Sequence, residues 1–182
     1  KDKIVHVAES KYQKLVVTTW LEKHWLYING NLQMTTLDEY LYHEPMIHPV
    51  MSLVEDPKNI LIIGGGDGFN AKELLKYEAI ETIELVDLDP EMTKLGADFA
   101  PFVKANQGSL SHPKLKVLNE DGFVFLQESN SFYDLIVIDL PDAKGVDLSK
   151  LYSKEFYQMI KLHLRPNGYM VTQSGNPYLA TR

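Results

Sequence analysis

The sequence contains no cysteine, so disulfide bonds and thiolate-bound metals are both excluded. Its histidines are scattered, and His43 and His48 lie five residues apart, off a shared helical face, so we predict no metal site. No apolar run approaches the roughly 20 residues that span a bilayer, and no signal peptide is visible. Within this sequence, a disulfide-stapled or membrane-spanning domain is therefore excluded.

Positive charge is also scarce, because 18 lysines and arginines are set against 25 acids for a net charge of -7. This balance argues against a nucleic-acid partner, whose phosphates need a basic surface. It mildly favours a cationic ligand. A merely soluble acidic surface explains the charge equally well.

The length and composition predict one sizeable α/β domain with a small appendage, since the chain has 182 residues of which 45% are hydrophobic. The chain begins at Lys1 and stops in mid-pattern at Thr181 and Arg182. We therefore expect it to be a piece of something longer. We expect a cytoplasmic location, with the cytosolic part of a longer membrane protein as the other possibility.

A glycine-rich stretch organises the sequence. The apolar run 60–63 predicts a strand buried on both faces, and it leads into the glycine turn 64–68 and a helical pattern at 69–77. A second strand, 82–86, ends at Asp87, about twenty residues past the last glycine, where an acid can reach the hydroxyls of a ribose. Strand, glycine turn and helix together predict a nucleoside site.

The rest of the chain shows hydrophobic patterns typical of strands in its first part and of alternating strands and helices in its second. Residues 1–35 predict a small antiparallel β unit, with a hairpin at Asn29, Gly30 and Asn31. Residues 36–182 predict a Rossmann-like, doubly wound α/β domain with a mostly parallel sheet covered on both faces. Its strands are expected near 60–63, 82–87, 115–118, 134–139 and 168–173, and its helices near 69–77, 90–100, 121–129 and 153–164.

The two parts are joined by a predicted helix that runs from Thr36 towards Val54. Thr36 and Glu39 have the spacing of a capping box. Pro45 and Pro49 interrupt the pattern, so we expect a kink or a break there. The polar and aromatic residues just before that break are either a functional cluster or an ordinary amphipathic face, and they are Tyr40, Tyr42, His43 and Glu44.

Acids follow the predicted strands at their carboxyl ends, the edge where ligands bind in open α/β sheets. They are Asp67, Asp87, Asp121 and the pair Asp139 and Asp142. Such an edge suits a cation, although Asp121 could instead cap a helix or accept from an adenine amino group. The loop 140–152 follows the same edge, and we expect it to act as a mobile lid.

The glycine turn departs from two common nucleotide-binding classes. Methyltransferases usually place an acid two residues before the first glycine, where this sequence has Ile62, and the acid lies inside the turn as Asp67 instead. A dinucleotide dehydrogenase is disfavoured too, because Asp67 would place like charge against a pyrophosphate.

Six short sequence patterns, including the glycine turn, are together typical of one known family. In chain order they are Ser10-Lys11-Tyr12-Gln13, Asn29-Gly30-Asn31-Leu32-Gln33, Asp38-Glu39, Tyr42-His43-Glu44, Gly64-Gly65-Gly66-Asp67-Gly68 and Asp139-x-x-Asp142. They cover nearly the whole chain and resemble the polyamine aminopropyltransferase (spermidine synthase) family. The resemblance implies a small N-terminal β domain on a doubly wound sheet, assembly as dimers or tetramers, and transfer of an aminopropyl group from decarboxylated S-adenosylmethionine to putrescine, leaving methylthioadenosine.

The resemblance also implies roles for individual residues. The donor would contact the glycine turn, Asp87 would hold its ribose, and Asp121 with Gly122 its adenine. Asp139 would be the catalytic base. The other implied contacts are Gln13, Gly64 and Gly66 for the donor, His43 and Asp67 for the donor and polyamine region, and Tyr42 and Asp142 for the amine. Decarboxylated S-adenosylmethionine is then a co-substrate, with no tightly bound cofactor and no metal.

One departure from the family pattern concerns the amine side. The family usually follows its second aspartate with proline and glycine, whereas here Asp142 precedes Ala143 and Lys144. Two other functions remain open, an S-adenosylmethionine-dependent amine N-methyltransferase and a domain that binds a nucleoside or polyamine without catalysis.

Overall fold

The structure, a computed structural model, describes residues 2–141 and 150–173. Its first part is an antiparallel sheet in the order β1-β2-β3-β4. The strands are β1 (Lys3–Glu9), β2 (Lys14–Trp20), β3 (Lys23–Ile28) and β4 (Asn31–Thr35). Asn29 and Gly30 between β3 and β4 have positive φ angles of 50° and 80°. Two such residues form the tight turn that matches strand twist, so the predicted hairpin is confirmed.

The second part is a parallel sheet in the order β7-β6-β5-β8-β9. Its strands are β5 (Asn59–Gly64), β6 (Thr82–Val86), β7 (Leu115–Leu118), β8 (Tyr133–Asp139) and β9 (Leu164–Thr172). The helices are α1 (Tyr40–Met51), α2 (Phe69–Leu74), α3 (Pro90–Asp98), α4 (Ala100–Ala105), α5 (Gly122–Glu128) and α6 (Lys154–His163), with 3₁₀ turns at Ser109–Ser111 and Lys150–Tyr152. The predicted doubly wound α/β fold with an N-terminal antiparallel sheet is confirmed.

The strand order reverses between β5 and β8, which creates the crevice where such sheets bind ligands. Along the chain, the sheet grows from β5 through β6 to β7 and then resumes on the other side with β8. Gly64 pairs with Asp139 at the carboxyl end of these two central strands. The backbone N–H of Gly65 also donates to the carbonyl of Asp139 at 3.2 Å. Asp139 therefore lies at the switch point itself.

The continuous apolar run of β5 is explained by two cores, one on each face of the sheet. Ile60 and Ile62 pack in the cluster with α1 and α2, whereas Leu61 and Ile63 pack in the cluster with α5 and α6. All four side chains are buried, and burying each stabilises the fold by about 1.5–3 kcal/mol. The strand under the glycine turn is thus a rigid support.

A third core joins the antiparallel sheet to the helices around the glycine turn. Leu15, Val17 and Leu26 of that sheet pack with Phe69 of α2 and Phe102 of α4. The N-terminal sheet therefore covers the helix that starts directly after the turn. The predicted division into domains 1–35 and 36–182 stays a prediction.

The predicted capping box is wrong. The hydroxyl of Thr36 accepts from the backbone N–H of His24 at 3.0 Å, and α1 begins at Tyr40 without a side-chain cap. The expected break is also absent, since α1 runs continuously through Pro45 and Pro49. Each internal proline costs roughly 3 kcal/mol. Burial of Met46, Ile47, Val50 and Met51 in the core offsets that cost.

Two other boundaries differ from the prediction. The helix expected over 90–100 is two helices, α3 and α4, which meet at the extended Phe99. Pro101 cannot continue α3, because it lacks an N–H and its ring would clash with the preceding turn. The final strand begins at Leu164, so Asn167, with a φ of 64°, lies inside β9 rather than before it. A register shift between Tyr133 and Leu135 accommodates the irregularity.

No helix in residues 2–141 or 150–173 is long and apolar enough to cross a membrane. Most of the predicted lid falls on residues 142–149, which lie outside the described residues. Of that loop, the structure describes Leu140 and Pro141 at its start and the short turn Lys150–Tyr152 at its end.

Candidate functional site

The glycine turn brings three strand ends together. A Cβ at Gly64, whose φ is 83°, would lie 2.0 Å from the carbonyl oxygen of Asp139, so only glycine allows β5 and β8 to meet this closely. A Cβ at Gly66 would lie 2.6 Å from Oδ2 of Asp87. The two glycines therefore let the turn approach the carboxyl ends of both β8 and β6.

Asp87, the predicted ribose acid, is held by backbone donors. Its Oδ2 accepts from the N–H of Gly66 and its Oδ1 from the N–H of Asp89, both at 2.9 Å. Burial raises the pKa of Asp87 to about 6, although these two N–H groups act in the opposite direction. The carboxylate is thus fixed beside the glycine turn at the end of β6.

Asp139, the predicted base, is held from two helices. Its Oδ1 accepts from the hydroxyl of Tyr42 on α1 at 2.7 Å, and its Oδ2 accepts from Nδ2 of Asn70 on α2 at 2.6 Å. Burial raises the pKa of Asp139, against the opposing effects of His43 and the two hydrogen bonds. A raised pKa moves a carboxylate towards the range useful in a general base.

Asp67 lies in the glycine turn and is nearly buried, with 9% of its surface exposed. Its Oδ1 accepts from the N–H of Phe69 at 3.1 Å. Burial raises the pKa of Asp67 to about 6, helped by the negative charge of Asp139 and opposed by the positive charge of His43. Asp67 and Asp139 therefore influence each other's ionisation, as expected of two acids that share one site.

His43 is the titratable base that faces these acids. It is 2% exposed, and its ring stacks on Phe69 with centroids 5.2 Å apart. Its Nδ1 contacts the carbonyl oxygen of Glu39 at 2.8 Å and the Oε2 of Glu39 at 3.1 Å. Burial lowers the pKa of His43, but the bond to Glu39 and the charges of Asp67 and Asp139 outweigh it, so the pKa is raised.

A buried ion-pair network lies behind His43, between α1 and α2. Nζ of Lys72 lies 2.5 Å from Glu39 and 3.3 Å from Glu73. Glu73 also pairs with Lys76 at 2.5 Å and with His48 at 2.8 Å. Burial raises the pKa of Glu39 and Glu73, but their partners outweigh burial and the pKa of each is lowered. This network fixes the position of the His43 ring.

Three residues of this arrangement were not predicted from the sequence, namely the His43 partner Glu39, the Asp139 donor Asn70 and the ion-pair centre Lys72. Glu39 and His43 have a helical spacing of four, which is typical of side-chain pairs on one face. Asn70 and Lys72 are polar residues in a helix whose surroundings are apolar. Buried polar residues need partners, so two polar side chains within an apolar helical stretch could have indicated a polar network.

Asp121 and Gly122, the predicted adenine contacts, lie at the start of α5. Asp121 caps the helix by accepting from the N–H of Phe123 at 2.9 Å, so the capping alternative is confirmed. It also forms an ion pair with Lys150. Burial raises the pKa of Asp121, but Lys150 and the capped N–H outweigh it and the pKa is lowered. A Cβ at Gly122 would lie 2.7 Å from Ile63, so glycine is required for close packing against β5.

Gln13 lies in the turn between β1 and β2, and this turn is tied to the loop after β6. The carbonyl of Gln13 accepts from the N–H of Ser10 at 3.0 Å. The hydroxyl of Ser10 donates to Oδ2 of Asp89, also at 3.0 Å. The N-terminal sheet is thus linked to the ribose side of the site. Asp142, the other predicted amine contact, lies outside the described residues.

A different depression, of about 500 Å³, opens at the opposite edge of the sheet. Its basic residues already have partners, because Lys116 lies 3.4 Å from Glu84 and Arg165 lies 3.5 Å from Asp134. Three acids of the carboxyl edge differ, since Asp67, Asp87 and Asp139 have no lysine or arginine partner within the described residues, whereas Asp121 pairs with Lys150. Carboxylates left in this state suit a ligand that brings its own positive charge.

Comparison with known proteins assigns this combination of fold and motifs. The sequence profile of the spermine/spermidine synthase domain matches residues 39–182. The polyamine aminopropyltransferase of Oceanobacillus iheyensis is 44% identical over 180 residues, covering 99% of this chain and 35% of that protein. Polyamine aminopropyltransferase 1 of Streptomyces coelicolor is 43% identical over 186 residues, covering 100% of this chain and 35% of that protein. The chain thus spans 35% of the length of these curated relatives.

Two solved structures are similar over almost the whole chain. A spermidine synthase in complex with the transition state analogue AdoDATO has a TM-score of 0.89 and 25% identity, covering 96% of this chain and 59% of that one. The spermidine synthase from Thermotoga maritima has a TM-score of 0.85 and 24% identity, covering 96% of this chain and 58% of that one. At that last identity the likeness concerns the fold alone.

Proposed function

The chain belongs to the spermine/spermidine synthase family, as its motifs predicted, and we propose that the protein transfers an aminopropyl group from decarboxylated S-adenosylmethionine to putrescine. The observation that carries this proposal is the pair Asp67 and Asp139 at the switch point of the sheet. Both are fixed beside the glycine turn, and among the described residues the basic group that faces them is His43 rather than a lysine or arginine. A solved relative that binds a transition state analogue adds support.

The proposed reactants need such a site because both carry positive charge. The donor is a sulfonium and the acceptor a diamine. Two unit charges about 4 Å apart repel by about 4 kcal/mol at a dielectric typical of a protein surface. The carboxylates of Asp67 and Asp139 offset that repulsion. In this proposal Asp87 holds the ribose, Asp121 and Gly122 approach the adenine, and Tyr42 with Asp142 holds the amine.

The attacking amine must lose a proton before it can react. With an ordinary amine pKa of about 10.4, neutrality at pH 7 costs about 4.6 kcal/mol. Asp139 takes that proton, and its raised pKa, due to burial, reduces the mismatch between amine and base. The neighbouring sulfonium reduces the mismatch further, because a nearby positive charge lowers the pKa of the amine.

The displacement step depends mainly on how the amine nitrogen is positioned relative to the methylene carbon. The nitrogen lone pair attacks the methylene carbon bonded to sulfur, that carbon–sulfur bond breaks, and its electrons neutralise the sulfonium. The products are the extended amine and methylthioadenosine, and the proton on Asp139 returns to solvent. Holding the nitrogen about 3–3.5 Å from the carbon is worth a large part of the barrier.

The decisive experiment uses the full-length protein with each sulfonium donor in turn. With decarboxylated S-adenosylmethionine and putrescine, we expect methylthioadenosine and spermidine. With S-adenosylmethionine and putrescine, we expect no S-adenosylhomocysteine. The reverse pattern would make the protein an amine methyltransferase. Donor binding in calorimetry without turnover of either donor would make it a non-catalytic binding domain.

The nucleoside assignment is tested separately with Asp87→Ala. Loss of the ribose acceptor should weaken binding of methylthioadenosine about tenfold or more, since a hydrogen bond to a charged group contributes roughly 1.5–3 kcal/mol. Glu91→Ala, a substitution in the first turn of α3, is the matched control and should leave the affinity unchanged. Normal nucleoside binding by Asp87→Ala in calorimetry would refute the ribose role. The cytoplasmic location and the dimeric or tetrameric assembly also remain proposals from the family resemblance.

A further inference from the structure

Asn70 is a buried polar residue that the reaction above does not use. It is the second residue of α2 and has no exposed surface. Its Nδ2 donates to Oδ2 of Asp139 at 2.6 Å. Its Oδ1 is buried and has no hydrogen-bond partner within the described residues. Leaving a buried acceptor unsatisfied costs about 1–3 kcal/mol. The hydrogen bond from Nδ2 to Asp139 therefore determines the orientation of this amide.

The amide orientation follows from the charge of its neighbour. Turning the side chain around would place Oδ1 against a carboxylate oxygen and separate the donor from its acceptor. The observed orientation suits an ionised Asp139 and disfavours a proton on Oδ2. Tyr42 donates to the other carboxylate oxygen at 2.7 Å. Asp139 is therefore clamped between a donor from α1 and a donor from α2, and each oxygen retains one lone pair for a ligand.

The glycine turn supports the same contact. A Cβ at Gly65 would lie 3.4 Å from Oδ2 of Asp139 and 3.5 Å from Nδ2 of Asn70. The turn therefore passes directly beside this hydrogen bond. Asn70 lies in the first turn of α2, the helix that follows directly after the glycine turn.

We propose that Asn70 is a positioning residue, which holds Oδ2 of Asp139 opposite Tyr42 so that the carboxylate stays charged and directs its free lone pairs at the amine. This inference rests on the proposed function for the identity of the amine. The hydrogen bond itself is a property of the unliganded site. Asn70 therefore limits how far burial can raise the proton affinity of the base.

The other titratable groups around Asp139 act alongside Asn70. His43 and Tyr42 face it from α1, and Asp67 faces it from the glycine turn. His43 favours the ionised form of Asp139, and Asp67 opposes it. A test must therefore measure the ionisation of the Asp139 carboxyl group directly, because a change in the pH dependence of activity could come from any of these groups.

The test substitutes Asn70→Leu in the full-length protein and titrates the ¹³C carboxyl resonance of Asp139, assigned with Asp139→Asn. We expect the pKa of Asp139 to rise by about one unit, since losing a donor to the charged form raises it. The acid limb of kcat/KM should move to higher pH by the same amount. The affinity for methylthioadenosine should change less than about threefold.

Asn70→Ala is the second variant, because it cannot overfill the core if leucine prevents folding, and the same rise is expected. An unchanged or lowered Asp139 pKa in a folded variant would overturn the inference, whatever happens to activity. The carboxyl titration needs no substrate. If the wild-type protein formed no methylthioadenosine, the proposed function would fail while the role of Asn70 in holding Asp139 would still be decided.

Discussion

Two groups of buried or half-buried acids lie on either side of His43 and behave in opposite ways. Glu39 and Glu73, between α1 and α2, pair with lysines, and the pKa of each is lowered. Asp67 and Asp139, at the ends of β5 and β8, lack such partners within the described residues, and their pKa values are raised. A buried acid with its own cation serves the fold. A buried acid without one is ready for a cationic ligand.

His43 lies between the two groups of acids and interacts with both. Its Nδ1 contacts Glu39, while its charge acts on Asp67 and Asp139. The ion pairs behind His43 therefore fix its ring without neutralising the two aspartates. Three tests ask whether this division into paired and unpaired acids holds, and they are taken from the largest expected effect to the smallest.

The first substitution attacks the paired group through Lys72→Met. Lys72 is 7% exposed and pairs with both Glu39 and Glu73, so its removal takes the lysine from Glu39 and leaves Glu73 with Lys76 and His48. Removing one partner of a buried pair costs about 3–5 kcal/mol, and urea unfolding should show this loss. Lys76→Met is the matched control, because that side chain is 48% exposed and such pairs contribute about 1 kcal/mol or less. Equal losses from both variants would contradict the division.

The second substitution attacks the unpaired group through Asp139→Asn. Turnover should fall by about 10² or more, because the base is lost while the shape is kept. Binding of methylthioadenosine should be nearly unchanged. Thermal stability should not fall, since the raised pKa of Asp139 shows that its ionised form is disfavoured, and the substitution replaces a carboxylate with no lysine or arginine partner in residues 2–141 and 150–173 by a neutral amide. A variant with normal turnover but a much lower melting temperature would make Asp139 a structural residue like Glu39.

The third test compares the pH dependence of stability in Asp67→Asn and Glu39→Gln. The folded pKa of Asp67 is raised from 3.8 to about 6, so ionising Asp67 destabilises the folded state progressively between those two values. Asp67→Asn should therefore melt higher than the wild type at pH 7.5, with no difference near pH 4.

Glu39 should show the opposite sign. Its folded pKa lies below the ordinary value of 4.5, so its ionised form stabilises the fold above that pH and the contribution is lost on acidification. Glu39→Gln should melt lower than the wild type at pH 7.5, and the deficit should shrink below pH 4.5. Melting curves of both variants between pH 4 and 7.5 provide the measurement. Shifts of the same sign would remove the distinction between the two groups.

The reliable predictions were those with a local cause. The run 60–63 followed by glycines required a buried strand and a tight turn, and both are present at β5 and Gly64. The capping box failed because the hydroxyl of Thr36 accepts from the N–H of His24 on the neighbouring strand instead. The helix through Pro45 persisted because its buried face outweighed a local penalty. Local signals hold where no tertiary contact competes with them.

The candidate site divides in the same way. The spacing of Asp67, Asp87 and Asp139 after predicted strands was enough to place them on one edge, because parallel strands end together. Nothing in the spacing indicated that Asn70 would donate to Asp139. That contact depends on how α2 leaves the turn, which is a matter of three-dimensional packing.

By itself, the sequence determined the fold class, the glycine turn, the edge that carries the acids and the family. It could do so because periodicity, glycine conformation and strand direction are local or follow from chain order. Only the tertiary structure decided which acids have a cation within reach. An ion pair depends on atoms a few ångströms apart in space, and residues as distant in sequence as Glu39 and Lys72 meet only once the helices have packed.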